Sequence, residues 1–208
     1  MVFDVLVERF FYNHSSLSDL FYSKKSMMNS PDTAAEWYVL RVTYQRELST
    51  KEYLDKLNIE NFVPVRVVRR RNSKGQFFRA CEVAVHNYIF IRSTREVIDE
   101  LKTYKLPMLR YVMHPQNGEN QIMIVPEEQM RNFIAVAGNE DEQVLFMSPE
   151  EVALSKGDKV RITGGVFEGV EGLLMRVKNS RGKRVVVKID GITAVATASI
   201  PSALVEKI

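Results

Sequence analysis

A single cysteine, Cys81, in 208 residues excludes an internal disulfide and a cysteine-rich zinc site. The three histidines, His14, His86 and His114, are too scattered to suggest a metal cluster. No apolar run approaches the roughly 18 residues that a membrane-spanning helix needs, so no membrane association is expected. Nor is there an excess of one charge. The 29 Lys and Arg stand against 26 Asp and Glu, a net of +3, too little to mark a nucleic-acid binder by itself. Catalysis would require a nucleophile–base pair, a metal set or a phosphate loop, and none has the required spacing. An enzyme is therefore not expected, and no cofactor is implied. A hydrophobic fraction of 45% and a charged fraction of 26% describe a soluble globular protein of a reducing compartment. Its length suits one large domain or two small ones.

Charge becomes informative once it is located. Arg66, Arg69, Arg70, Arg71, Lys74 and Arg79 fall in one stretch without an acid. Glu140, Asp141, Glu142, Glu150 and Glu151 fall in another without a base. From Lys156 onward ten Lys and Arg face five Asp and Glu, a local net of +5. Two basic regions thus flank an acidic connector.

Residues 1–35 read as a poorly ordered N-terminal extension. Val2–Tyr12 is apolar but interrupted by Asp4, Glu8 and Arg9, which excludes a signal-peptide core. Asn13–Asp32 is polar loop, and Met27 and Met28 precede the first ordered element, so residues 1–26 read as an upstream extension. Strand formers then occupy Trp37–Thr43, and Leu48, Leu54 and Leu57 give Glu47–Leu57 one helical face. Phe62–Arg71, a polar turn at 72–75 and Gln76–Ala80 form a hairpin with a basic rim. Val83–Ile91 alternates, with Val83, Val85, Ile89 and Ile91 on one side and His86, Tyr88 and Phe90 on the other. Ser93-Thr94-Arg95-Glu96 has the pattern of a capping box before a helix through Leu101. Arg110–His114 reads as a further strand, and Pro126 opens a helix with Met130, Phe133 and Ile134 inward. This order predicts an α+β domain over residues 36–136, an antiparallel sheet with helices packed on it.

Residues 137–155, with Gly138, Pro149 and the acids, read as a linker. Beyond them the texture changes. Strands are predicted at Lys159–Thr163, Gly172–Val177, Arg184–Ile189 and Ile192–Thr197, and such closely spaced short strands point to a small β-barrel over 156–208. Glycines at 164, 165, 169 and 172 suit sharp corners or close strand approach. A phosphate-binding loop is a poor competitor, because no Lys-Ser/Thr pair follows them.

The run from Gly157 through Phe167 and Gly169 to Gly172, followed by the strand Leu173–Val177, resembles a KOW motif. Upstream, Trp37-Tyr38-Val39-Leu40, Phe62-Val63-Pro64-Val65, Asn87-Tyr88-Ile89-Phe90-Ile91 and Ile124-Val125-Pro126 resemble, in that order, the NusG N-terminal domain. The resemblance covers about residues 36–208 and is closest to specialised NusG paralogues of the RfaH and UpxY kind. It implies a ferredoxin-like α+β domain tethered to an SH3-like β-barrel. It also implies a cytoplasmic antitermination and elongation factor, nucleoid-associated during transcription and acting in a specific operon such as a surface-polysaccharide locus. Its partner would be RNA polymerase, held at the clamp region of the largest subunit through an apolar patch to which Tyr88 and Phe90 correspond. DNA or nascent RNA would lie nearby, and the barrel's partner stays open between a ribosomal protein and Rho. The sequence departs from the family pattern at three places: His86 stands for a proline, Arg41 for a patch tyrosine, and Thr94-Arg95-Glu96 for a threonine-rich loop.

Two readings stay open at each surface. Tyr88 and Phe90 are either a docking patch or core beneath a helix. Arg69, Arg71 and Lys74 either meet nucleic acid or solvate a strand edge. A different class of protein, a free-standing KOW-type RNA-binding or ribosome-associated protein, would account for the basic C-terminal half but not for the aromatics.

Overall fold

The computed structural model of the protein describes residues 35–208 except 117, 140–143, 149–150, 152–156, 178–181 and 198. The expectations for the N-terminal extension through residue 34, and for most acids of the connector, lie outside the described residues.

The first half is built on strand β1 (Glu36–Val42), buried on both sides except at Glu36 and Arg41. It pairs antiparallel with β5 (Tyr88–Ser93), β6 (Leu109–Tyr111) and β9 (Ile124–Val125), and β2 (Asn61–Phe62) extends the sheet beyond β5. Helices α1 (Glu47–Lys56) and α2 (Arg95–Tyr104) cover one face. There Leu54, Ile98 and Leu101 pack with Tyr38, Leu40, Ile89 and Ile91. On the other face Trp37, Val39 and Phe90 meet Met130, Phe133 and Val136 of α3 (Glu127–Ala137). This is the α+β arrangement that the sequence predicts, with helices on both faces of the sheet.

Three local expectations are corrected. The alternating run Val83–Ile91 is not one strand, because β4 (Phe77–Val83) ends before Asn87 and β5 begins after it. Asn87 has φ 68°, a left-handed conformation that breaks the pleat. Thr94 caps α2 in extended conformation, but its side chain makes no capping bond, so no capping box forms. The strand read over Arg110–His114 is two, β6 and β7 (Met113–Gln116), and β7 pairs with β8 (Glu119–Ile122) as a separate hairpin. Between them Val112 still bonds to Val39 of β1, at 3.0 Å, before the chain leaves the sheet.

In the second half, β11 (Asp158–Ile162), β12 (Glu171–Arg176), β13 (Lys183–Ile189) and β14 (Thr193–Ala196) stand within a residue or two of the predicted strands. They join a six-stranded antiparallel sheet in the order β10-β14-β13-β12-β11-β15. Its end strands were not expected. β15 is Val205–Lys207, and β10, Leu145–Met147, lies inside the predicted linker. Part of that linker is thus a strand paired with β14.

Helix α3 also packs on β13 and β14. Gln129 donates to the Lys188 carbonyl at 2.8 Å, and the Asn132 side-chain oxygen accepts the Glu171 N–H at 3.3 Å. One apolar core runs from Trp37 and Phe90 through Phe133 to Val160, Val185 and Val187.

Candidate functional site

The first candidate lies where β1 ends and β5 begins. Arg41 and Tyr88 are cross-strand partners. The guanidinium sits 5.7 Å from the Tyr88 ring centroid and donates to the phenol oxygen at 3.3 Å. Such a pair combines a hydrogen bond with attraction between the cation and the ring face. Arg41 is exposed and Tyr88 half-buried. The position that departs from the family's tyrosine is therefore adjacent to Tyr88, on the same sheet face.

Backbone geometry fixes this end of the sheet. Glu47, 1% exposed, accepts the Asn87 N–H at 2.6 Å, and the Asn87 carbonyl accepts the Val42 N–H at 2.9 Å. The residue before Tyr88 is thus held in its left-handed conformation from both sides. Across the turn after β1, Tyr44 and Gln45 are also left-handed, at φ 63° and 53°, a conformation that costs non-glycine residues of order 1–3 kcal/mol. Tyr44 is 83% exposed, with the Arg46 guanidinium 5.9 Å from its ring. Sequence reasoning missed both Glu47 and Tyr44. Glu47 looks like a solvated helix residue and Tyr44 like part of a polar turn, and neither carries a periodic signal.

Phe90 is placed differently from the expected patch. It has no exposed surface, and its ring meets that of Phe133 of α3 at 5.7 Å between centroids, tilted by 51°. Phe133 in turn meets Phe62 edge-on at 6.2 Å. Of the two predicted docking aromatics, Tyr88 reaches the surface. Phe90 lies beneath α3, because period two carries it toward the middle of a face that the helix covers.

The second candidate is the ribbon of β3 (Val65–Arg71) and β4, which pair only with each other among the described strands. Arg69 stands opposite Arg79 and Arg71 opposite Phe77. At the tip, the Asn72 side-chain oxygen accepts from the Lys74 N–H at 3.0 Å and the Gln76 N–H at 2.9 Å. The Arg71 Nε donates to the Gly75 carbonyl at 2.9 Å. Arg69, Arg71 and Lys74 are all exposed, so the three predicted contact residues share one ordered tip.

The glycines and the aromatic between β11 and β12 have structural work. Phe167 is buried in the core, and Gly169, at φ 82°, donates its N–H to the Ile162 carbonyl at 2.8 Å. A side chain at Gly172 would stand 2.6 Å from the Val186 carbonyl oxygen, so the β12–β13 spacing requires glycine there. Gly157 is tight in the same way, its missing Cβ 3.0 Å from the Leu174 carbonyl oxygen.

Among the described residues, no three His, Cys, Asp or Glu side chains could together hold a metal ion, and no helix is long and apolar enough to cross a membrane. The α+β frame thus presents an aromatic–cation sheet end and a cationic ribbon. Residues 35–134 match the NusG family, described as transcription termination factor nusG. The segment from β1 to the third turn of α3 is accordingly similar to a NusG domain. A search of curated proteins gives no match.

Proposed function

We propose that the protein is a transcription elongation and antitermination factor that binds RNA polymerase through its NusG-type domain and reduces pausing and termination. The observation that carries this reading is the family match across the whole first sheet, on which the exposed Arg41–Tyr88 pair occupies one end. Tyr88 is the contact residue, and Phe90 supports it from within the core. Aromatic and arginine side chains dominate protein interfaces energetically, and here both types meet. The surface engaged is the clamp region of the largest subunit.

The specialised role, in one operon such as a surface-polysaccharide locus, rests on the likeness of Asn87-Tyr88-Ile89-Phe90 to paralogues of the RfaH and UpxY kind. The ribbon carrying Arg69, Arg71 and Lys74 meets DNA or nascent RNA beside the polymerase. Residues 156–208 act as an SH3-like KOW barrel whose partner is a ribosomal protein or Rho, and the protein works in the cytoplasm at the nucleoid.

The test is a pull-down from nuclease-treated lysate of the source cells. RNA polymerase should be recovered, and Tyr88→Ala should reduce the recovery. Recovery of ribosomes without polymerase would favour the free-standing RNA-binding reading instead.

A further inference from the structure

The two faces of the β3–β4 ribbon differ in chemistry. Pairing of Arg71 with Phe77 and of Val65 with Val83 puts Arg69, Arg71, Phe77, Arg79 and Cys81 on one face. The opposite face carries Arg66, Arg70, Phe78 and Glu82. There Arg70 bonds to Glu82, its Nε at 2.6 Å from the carboxylate, so charge on that face is partly compensated. The first face holds no acid. On it the Arg69 and Arg71 guanidinium carbons lie 5.3 and 5.7 Å from the Phe77 ring centroid. Phe77 is nonetheless 65% exposed.

We propose that the Phe77 face of this ribbon binds single-stranded nucleic acid, with Phe77 as the platform for an unpaired base and Arg69 and Arg71 on the flanking phosphates. The inference rests on nucleic-acid contact being part of the proposed function and assigns its strandedness, its face and its stacking residue. An aromatic ring that projects from a cationic face offers a surface every base can stack on. In a duplex each base is already stacked on its neighbours, so such a ring gains nothing there, whereas arginines alone serve either form. The hydrogen bonds that close the tip around Asn72 keep ring and guanidinium groups in one arrangement, which lowers the ordering cost of binding.

The experiment titrates a fluorescent oligothymidine and a hairpin duplex of equal nucleotide count with the full chain at low salt. The single strand should bind more tightly, and log affinity should fall with log salt by about 0.7 per phosphate contact. Phe77→Ala should weaken single-strand binding by roughly five- to a hundredfold, while Phe78→Ala on the other face should change it by less than about twofold on the same scale. A dye on Cys81, the only thiol in the chain and exposed on the Phe77 face, should respond to the single strand in the unsubstituted protein. Equal or tighter duplex binding, or binding untouched by Phe77→Ala, would overturn the inference and leave nucleic-acid contact standing. Binding of neither oligonucleotide would overturn both.

Discussion

Tyr88 and Phe90 lie on the same face of one strand, yet they meet different surroundings. Phe90 is enclosed by Phe133 and the rest of the core, whereas Tyr88 shares the sheet end with Arg41. Removing the Phe90 side chain leaves a cavity and should cost about 3–5 kcal/mol of stability. Tyr88→Ala, which removes a half-buried ring from the margin of the core, should cost only a small part of that and weaken polymerase binding by on the order of 2 kcal/mol. Thermal melts beside a binding titration separate the two effects. A Phe90→Ala protein as stable as the wild type but unable to bind polymerase would show that Phe90, too, is a contact residue. The sequence made both aromatics visible as a pair. It could not show which one a helix covers, because the covering residues Met130 and Phe133 lie some forty positions away.

At the scale of elements, strands with a clean period were legible in the sequence. β1 and β11 to β14 lie close to their predicted positions, as do α1 and α3. The boundary at Asn87 was hidden, since the aliphatic alternation of Val83, Val85 and Ile89 continues through it while Glu47 imposes the turn from another element. β10 was hidden too, a three-residue strand within an acidic, aperiodic stretch.

The edge formed by β11, β12 and β15 carries a testable charge arrangement. Glu171 meets Arg161 at 2.5 Å and Lys159 at 3.5 Å, and Asp158 meets Lys207 at 2.8 Å. The hydrogen bond from Arg161 holds the Glu171 carboxyl below its ordinary 4.5, and that from Lys207 holds Asp158 below its ordinary 3.8. Because both are depressed in the folded protein, their stabilisation is complete above those ordinary values and is lost as pH falls through the folded ones. The pairs are surface pairs, so the effect is small and weakens with salt. Melting temperatures should drop between about pH 5 and 3, and Glu171→Gln should flatten part of that drop. Identical pH profiles for the two proteins would remove the role assigned to Glu171.

For the whole molecule, a linker over residues 137–155 predicts two halves joined only by a tether. The described structure instead runs one core through α3 into the second sheet and adds the Gln129 and Asn132 bonds across the junction. That junction was not legible, because Gln129 and Asn132 look like the solvent side of an amphipathic helix. Trp37, the only tryptophan, reports on the first sheet, and hydrogen exchange at β13 reports on the second. Both should lose structure at one denaturant midpoint, as cooperative units do. Two separated midpoints would mean that the halves are independent and the junction weak.

Under the proposed function, this fold acts on transcription by holding RNA polymerase. A transcription assay with purified polymerase from the source cells, on a template bearing a pause and a terminator, tests it directly. Adding the protein should shorten the pause and raise readthrough, and Tyr88→Ala, with a Trp37 melt close to that of the wild type, should do neither. Unaltered pausing and readthrough at protein concentrations well above those of the polymerase would contradict the account.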